Sequence, residues 1–246
     1  MADPSPLVPI APPVAAPLDK SGRAVQDMFA GVAPRYDLLN HLLSGALDLV
    51  WRWRSARTLQ DVSGAPVLDL CCGTGDQALA VAKRGARVSA GDFCVPMLAL
   101  AKKKKAPGGA IPPAWLAADA LALPFPSGHF AAATVSFGLR NVADLDQALR
   151  ELARVMRPGG RLSVLEFALP ENRLIRGLYL FYFLKILPTI GKLVSPRGSA
   201  YNYLPNSVLP FPQRREFTER MNAAGFSASA WKDLSFGTVC LYTGRV

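Results

Sequence analysis

Acidic residues and glycines stand at the ends of short apolar runs in the first half of this sequence. The run Pro66–Leu70 leads into the turn Gly73–Gly75, and the next run ends on Asp92, 19 residues after the first glycine of the turn. A third run ends on Asp119. Glycines let a ligand approach the backbone, the following helix offers free N–H groups, and a carboxylate can accept hydrogen bonds from both hydroxyls of a ribose. The spacing therefore predicts a site for a ligand that contains a nucleoside.

The charge of the turn bears on which nucleoside it would bind. The spacing G-x-G-x-x-A from Gly73 to Ala78 keeps a dinucleotide open, because alanine can replace the third glycine of that motif. Asp76, however, puts a negative charge at the helix N-terminus, where a pyrophosphate would lie. A cationic nucleoside without phosphate, such as S-adenosylmethionine, fits better. Asp119 and Ala120 would then flank the adenine, unless Asp119 serves only as a helix N-cap.

Alternating strands and helices must position these residues. The predicted strands are Pro66–Leu70, Arg87–Asp92, Trp115–Asp119, Phe130–Ser136 and Leu162–Phe167, with a terminal antiparallel pair at Phe226–Lys232 and Thr238–Thr243. The predicted helices are Gln77–Arg84, Pro96–Lys105, Asp144–Met156 and Pro212–Ala224, and Arg157–Gly160 is predicted to be a turn. This alternation is typical of βαβ units, so we expect an α/β fold with a mostly parallel sheet.

The segments outside this alternation define the predicted domain organisation. Residues 1–20 contain six prolines and are predicted to form a disordered Pro/Ala tail, and no signal peptide is recognised there. Residues 21–246 are predicted to form one domain, with a helical cap at 21–60 and an apolar lid inserted at 168–211. Residues 174–194 are apolar but carry charges and a proline, so they fall short of a membrane-spanning helix. We expect a cytoplasmic protein that could also lie against the inner face of the membrane.

The composition excludes several classes of protein. Half of the 246 residues are hydrophobic and 19% are charged, which excludes a wholly disordered chain. Two histidines and no C-x-x-C spacing argue against zinc, and we predict no metal site. The net charge of +10 fits nucleic acid, an anionic membrane or an anionic ligand. An RNA-binding module is the alternative from another class, but the aromatic residues cluster in the apolar insertion instead of alternating with basic ones, so we expect no nucleic acid partner. The basic run Lys102–Lys105 is interpreted as a solvated helix end.

Several segments together carry a resemblance to a known family. They are Ala33–Asn40 (APRYDLLN), Gly73–Asp76, Leu123–Phe125, Phe137–Val142 (FGLRNV), Arg157–Gly160, Leu165–Phe167 and Ala200–Leu204. The sequence from about residue 24 to 246 resembles the ubiquinone/menaquinone biosynthesis C-methyltransferases and is similar to the demethylmenaquinone methyltransferases among them. The glycine turn and R-P-G-G are weakly specific, whereas F-G-L-R-N and A-P-R-Y-D are much more specific to this family.

The resemblance implies a fold, a reaction and a cofactor. The fold is a class I S-adenosylmethionine-dependent methyltransferase: Rossmann-like, with a seven-stranded, mostly parallel sheet and an antiparallel last strand. The reaction transfers a methyl group from S-adenosylmethionine to a ring carbon of a prenylated quinol without metal. Demethylmenaquinol is the favoured substrate, while the ubiquinone and phylloquinone branches and another small-molecule methyltransferase remain alternatives. Cys71, Cys72 and Cys94 depart from the family pattern and obscure the quinone branch. The predicted cofactor-binding residues, from spacing and resemblance together, are Asp69, Gly73, Thr74, Gly75, Asp92, Asp119, Ala120 and Ser136.

Methylation of a ring carbon requires an ionised neighbouring oxygen, held so that carbon and methyl group lie about 3–3.5 Å apart. Arg140, which follows the flexible pair Phe137-Gly138, is the candidate for stabilising this phenolate. Asn141 could orient a water or a quinol oxygen, and Tyr36 or a water could act as the base. The alternatives are a surface salt bridge of Arg140 to an acid four residues on, a capping role for Asn141, and a core role for Tyr36.

The apolar insertion is predicted to hold the prenyl chain. Leu178–Leu184, with Ile186 and Leu187, could line an apolar channel as a mobile lid, or form an ordinary buried helix or a dimer face. A homodimer therefore stays open. Basic residues could hold this lid against anionic lipid; they are Arg173, Arg176, Lys185, Lys192 and Arg197.

Overall fold

The computed structural model describes residues 22–33, 36–186 and 199–246, and its centre is a seven-stranded sheet with the strand order β3-β2-β1-β4-β5-β7-β6. The strands are β1 (Pro66–Leu70), β2 (Arg87–Asp92), β3 (Ala114–Ala117), β4 (Phe130–Ser136), β5 (Met156–Phe167), β6 (Ser227–Leu234) and β7 (Val239–Arg245). Only β7 pairs antiparallel, with β5 on one side and β6 on the other. The predicted seven-stranded sheet with an antiparallel last strand is confirmed. The strand order reverses between β1 and β4, which is where sheets of this type bind ligands.

Helices cover both faces of the sheet. They are α1 (Gly22–Val32), α2 (Tyr36–Ser44), α3 (Leu47–Thr58), α4 (Asp76–Ala82), α5 (Val95–Ala101), α6 (Leu145–Val155), α7 (Arg173–Phe181), α8 (Ser199–Val208) and α9 (Arg215–Ala223). Helix α6 shows why such segments fold: the Asp144 side chain accepts a hydrogen bond from the N–H of Gln147, and Leu149 and Leu152 on one face are fully buried.

Successive residues of the strands enter two separate apolar cores. Val67 packs with residues of α3, α4 and α5, whereas its neighbour Leu68 packs with residues of α6 and α9. This alternation follows from the two-residue period of a strand, and helices on both faces are what a parallel sheet requires.

The predicted turn at Arg157–Gly160 is wrong. These residues form the beginning of β5. The N–H of Gly159 donates to the carbonyl of Val246, and the N–H of Val246 donates to the carbonyl of Gly160. Val246 thus supplies hydrogen bonds that the residues of a local turn would otherwise make with one another. The residues around 157–160 alone do not predict this distant partner.

Most described residues of the predicted cap and lid are helical. Helices α1, α2 and α3 lie within 21–60, and α7, a π-helical turn at Tyr182–Ile186 and α8 lie within 168–211. The predicted tail at 1–20, and residues 187–198 of the predicted lid with Lys192 and Arg197, lie outside the described residues. In the part of the chain that the structure describes, no helix is both long and apolar enough to cross a membrane.

Candidate active site

Two cavities open near the carboxyl ends of the strands. The first, here the glycine-loop cavity, measures about 180 Å³ and is lined by the turn after β1, the end of β2 and the end of β4. Among the predicted cofactor residues, it contains Gly73, Thr74, Asp92, Asp119, Ala120 and Ser136. The second, here the aromatic cavity, measures about 290 Å³ and is lined mostly by apolar and aromatic side chains of α2, α3 and the segment 179–183. Phe29, Tyr36, Arg52 and Phe137 line both cavities, so the two adjoin.

The carboxylate of Asp92 fixes the glycine turn to the end of β2. One oxygen accepts a hydrogen bond from the N–H of Gly73 and the other from the N–H of Cys94, each at 2.7 Å. Burial raises the pKa of Asp92, and these two N–H groups offset part of that rise. Each carboxylate oxygen has a second lone-pair site, so Asp92 is positioned to accept ribose hydroxyls as well.

Ion pairs tie the glycine turn to helix α2. The hydroxyl of Thr74 donates a hydrogen bond to Asp37, and Lys104 pairs with both Asp37, at 2.7 Å, and Asp76. The interpretation of Lys104 as part of a solvated helix end is therefore wrong. Because Lys104 offsets the charge of Asp76, this acid discriminates less against a phosphate than the sequence suggested.

Asp69 and Gly75 do not line the glycine-loop cavity. Asp69 is fully buried within β1, accepts a hydrogen bond from the Thr134 hydroxyl at 3.0 Å, and has its pKa raised to about 7 by burial. Gly75 has a φ of 90°, and a Cβ there would overlap the ring of Trp115. Both residues lie behind the loop, outside the lining of this cavity, and their contact with the cofactor stays a prediction.

Two polar atoms that line the glycine-loop cavity lack a hydrogen-bond partner. The hydroxyl of Ser136 and Oδ1 of Asn141 are buried and have no hydrogen-bond partner in the described part of the chain. Buried polar groups are nearly always paired, so a bound molecule with polar groups would satisfy them. Asn141 lies in the single turn Leu139–Asn141 and lines the glycine-loop cavity. It does not line the aromatic cavity, where a residue that orients a quinol oxygen is expected.

Arg140 lines the aromatic cavity and is paired there. Its Nη1 lies 3.0 Å from Oε2 of Glu166, which is fully buried, and the Arg140 N–H donates to Oε1 of the same carboxylate. Nη1 also donates to the carbonyl of Phe137, and the guanidinium lies over the ring of Phe167. The alternative of a surface salt bridge with Asp144 is wrong, because Arg140 is buried and pairs with Glu166, whereas Asp144 caps α6.

The Phe137-Gly138 pair is closely packed, which differs from the flexible pair expected from the sequence. Phe137 is buried with a φ of 62°, and its ring contacts those of Trp51 and Phe167, with centroids 6.1 and 4.7 Å away. A Cβ at Gly138 would overlap Cys71. Packing therefore fixes the backbone that presents Arg140.

Tyr36 lies at the junction of the two cavities. Burial raises its pKa, while the positive charges of Arg140 and Arg52 offset part of the rise. With a pKa above the ordinary value, the hydroxyl keeps its proton at neutral pH and can donate a hydrogen bond. This favours Tyr36 as a donor to a ring oxygen over the role of base.

The segment 173–186 has one side in the aromatic cavity and another side exposed to solvent. Tyr179, Tyr182 and Phe183 line the aromatic cavity, and the Tyr182 hydroxyl donates to the carbonyl of Leu43 in α2 at 3.1 Å. Leu178 and other apolar residues of the predicted channel point outward and are exposed. Only one face of the segment thus lines the cavity, and Leu187 lies outside the described residues.

A family model described as the ubiE/COQ5 methyltransferase family matches residues 18–245. The chain belongs to this family. It is 47% identical over 219 residues to a demethylmenaquinone methyltransferase of Thermus thermophilus, which covers 88% of this chain and 99% of the relative. It is 43% identical over 234 residues to a ubiquinone/menaquinone biosynthesis C-methyltransferase of Geobacter sulfurreducens, with 93% and 90% covered. The family expected from the sequence is confirmed.

Solved structures share the fold. An S-adenosylmethionine-dependent methyltransferase of Thermotoga maritima superposes with a TM-score of 0.62 at 18% identity, covering 89% of this chain and 98% of that one. One from Aquifex aeolicus gives 0.58 at 17% identity, covering 92% and 99%. With the family, these findings establish an S-adenosylmethionine-dependent C-methyltransferase of quinone biosynthesis. The acceptor atoms of the glycine-loop cavity fit that cofactor.

Three charged residues of the site were missed by sequence reasoning as functional groups. Glu166 had a signal, because it is an acid flanked by the apolar residues Val164, Leu165 and Phe167 of a strand. Arg52 and Lys104 gave only the common pattern of basic residues on helices, which usually marks a solvated face. Their places in the site depend on which helices pack over the sheet.

Replacing Asp92 with alanine is expected to weaken S-adenosylmethionine binding about 10- to 100-fold, because the ribose loses a charged acceptor. In the wild type, affinity should fall as the pH drops through the raised pKa of Asp92, since protonation removes the charge. Asp92→Asn should show weak binding without this pH dependence. Calorimetry measures both, with the exposed Asp61→Ala as control. Unchanged affinity in Asp92→Ala would remove Asp92 from the site.

Proposed function

We propose that this protein methylates a ring carbon of demethylmenaquinol. S-adenosylmethionine occupies the glycine-loop cavity and the quinol head group the aromatic cavity. The observation that carries the proposal is the shared wall of Tyr36, Arg52 and Phe137, across which a donor and an apolar ring can meet. Relatives 42–47% identical are named demethylmenaquinone methyltransferase, which favours the menaquinone branch over the other two.

S-adenosylmethionine supplies an electrophilic methyl group when bound. Asp92 accepts hydrogen bonds from its ribose, and Ser136 and Asn141 offer their unpartnered oxygens to its polar groups. Asp119 and Ala120 contribute the cavity wall expected beside the adenine. Hydrogen bonds that these oxygens accept from the cofactor would thus fix the methyl donor before the quinol binds.

The residues around the quinol ring favour its ionised form. Arg140 stabilises the developing phenolate, and Tyr36 donates a hydrogen bond to a ring oxygen. Tyr179 and Phe183 help to exclude water, which strengthens these electrostatic interactions. With the cofactor bound, the ring carbon would take the methyl group as the sulfur–methyl bond breaks and S-adenosylhomocysteine leaves. The protons lost from the phenol and from the ring carbon would pass to water, so no covalent intermediate with the protein is needed.

A substrate panel tests the proposed function. The purified protein is given S-adenosylmethionine and the prenylated quinol precursors of menaquinone, ubiquinone and phylloquinone, together with a sterol and a phenolic acid. Mass spectrometry should show the fastest methylation of demethylmenaquinol. Preferred methylation of a benzoquinol would move the protein to the ubiquinone branch, and methylation of the sterol or phenolic acid alone would reject a quinone role.

We also propose that the protein lies against an anionic membrane surface, from which a prenylated quinol can enter. Helices α2, α3 and α7 line the aromatic cavity and also expose apolar side chains to solvent; these are Leu38, Leu42, Leu47, Leu49, Val50, Trp53, Leu174, Leu178 and Phe181. Exposed arginines flank them at Arg54, Arg57, Arg173 and Arg176. An apolar patch with a basic rim is typical of interfacial membrane binding.

Replacing Leu178 and Phe181 with aspartate is expected to reduce sedimentation with anionic liposomes by about tenfold, since two apolar contacts are lost and two negative charges added. Binding of the wild type should fall as salt rises. Ile111→Asp, an exposed apolar residue in the loop before β3, is the control. Equal liposome binding by the double variant would contradict the proposal. A change from dimer to monomer in ultracentrifugation would assign this surface to a homodimer instead.

A further inference from the structure

Arg52 of helix α3 lies where the two cavities adjoin. Its side chain lines both of them and is 12% exposed. The guanidinium carbon of Arg52 lies 5.4 Å from the centroid of the Phe137 ring. The Phe137 ring contacts the Phe167 ring, over which the guanidinium of Arg140 lies. The structure therefore places a second cation, besides Arg140, where the cofactor cavity and the quinol cavity meet.

The charges of the two arginines are balanced differently. Arg140 is matched by the buried Glu166, 3.0 Å away. Arg52 pairs with Asp48, but Nε and Oδ2 are 3.9 Å apart, which is too long for a hydrogen bond. Asp48 also accepts a hydrogen bond from Ser44 at 2.8 Å and lies 2.9 Å from Nδ1 of His41. Arg52 therefore shares its only paired carboxylate, within the described residues, with two other groups.

A hydrogen-bond donor of Arg52 is left without an acceptor. Nε is buried and has no hydrogen-bond partner among residues 22–33, 36–186 and 199–246. A buried charged donor in this state is costly unless a ligand supplies the acceptor. Burial raises the pKa of Tyr36, and the charge of Arg52, like that of Arg140, offsets part of this rise, so the field of Arg52 reaches the junction.

We propose that Arg52 binds an oxyanion at the junction of the two cavities. The proposal rests on the proposed function, because two parts of its ligands have this chemistry: the carboxylate of the methionine portion of S-adenosylmethionine and a ring oxygen of the ionised quinol. Either would accept charge-assisted hydrogen bonds from the guanidinium. A quinol has two ring oxygens, so Arg52 and Arg140 need not compete for one.

The test uses Arg52→Met, which keeps the length and removes the charge, and Arg52→Lys, which keeps the charge. Arg150→Met is the control, because Arg150 is exposed on helix α6 and lines neither cavity. Calorimetry measures the affinity of each variant for S-adenosylmethionine and for its decarboxylated form. The pH dependence of kcat is measured with demethylmenaquinol, and circular dichroism confirms the fold of each variant.

Each source of the oxyanion gives its own pattern. If Arg52 binds the carboxylate, Arg52→Met should lose about tenfold or more in affinity for S-adenosylmethionine but not for the decarboxylated form. If Arg52 binds the quinol oxygen, both affinities should stay unchanged and kcat should fall about 100-fold. The increase of kcat with pH should move to higher pH, because Arg52 no longer lowers the pKa of the phenol. Arg52→Lys should keep part of either function.

The proposal is overturned if Arg52→Met matches Arg150→Met in both affinities, in kcat and in pH profile. Equal losses for the two cofactor forms, without a change in the pH profile, would also overturn it, since they indicate general damage to the cavity. Failure of the proposed function looks different, because wild-type protein would then bind S-adenosylmethionine without methylating demethylmenaquinol. The calorimetric arm remains informative in that case.

Discussion

Replacing Glu166 with alanine is expected to lower the free energy of unfolding by about 3–5 kcal/mol. Glu166 is fully buried in β5, and its carboxylate accepts hydrogen bonds from both the N–H and the guanidinium of Arg140. Removing it leaves a buried positive charge without a partner, which is costlier than the loss of the pair itself. Urea denaturation at neutral pH measures the change.

An exposed ion pair provides the control for Glu166. Glu219 lies 3.0 Å from Arg215 on the surface of α9, and Glu219→Ala should cost no more than about 1 kcal/mol. Glu166→Gln should fall between the two alanine variants, because it keeps the shape and one acceptor. Equal stability of Glu166→Ala and Glu219→Ala would show that water reaches Arg140 and that its charge is not buried.

Replacing Arg140 with methionine is expected to lower kcat about 100- to 1000-fold, the cost of removing one preorganised donor to a developing oxyanion. The affinity for S-adenosylmethionine should change little, because Arg140 lines the aromatic cavity and not the glycine-loop cavity. Single-turnover kinetics with demethylmenaquinol and calorimetry with the cofactor separate the two effects.

Arg140→Met alone also leaves Glu166 buried without its cation, so loss of activity could follow from loss of structure. The double variant Arg140→Met with Glu166→Met removes both charges and should regain much of the lost stability, as buried ion pairs replaced by apolar residues often do. It should still turn over as slowly as Arg140→Met. Recovery of turnover together with stability would reduce Arg140 to a structural residue.

Much of the fold followed from local pattern. The strands β1, β2 and β4 were predicted at their observed bounds, and the terminal antiparallel pair was predicted within a few residues. Short apolar runs and the glycine turn can be recognised in the sequence, because the two-residue period of a strand and the backbone freedom of glycine are local properties. Gly73, Thr74 and Asp92 converge in one cavity because the carboxyl ends of parallel strands meet at one edge of the sheet.

The sequence by itself determined the doubly covered parallel sheet, the cofactor loop and the family, since these depend on residue type and spacing along the chain. Tertiary structure alone decided the electrostatics: which acid neutralises Arg140, which acids Lys104 bridges, and that Arg52 reaches both cavities. Each of these depends on contacts between elements far apart in sequence. The energy of a charge is set by its burial and its neighbours in space, and neither is a property of the local chain.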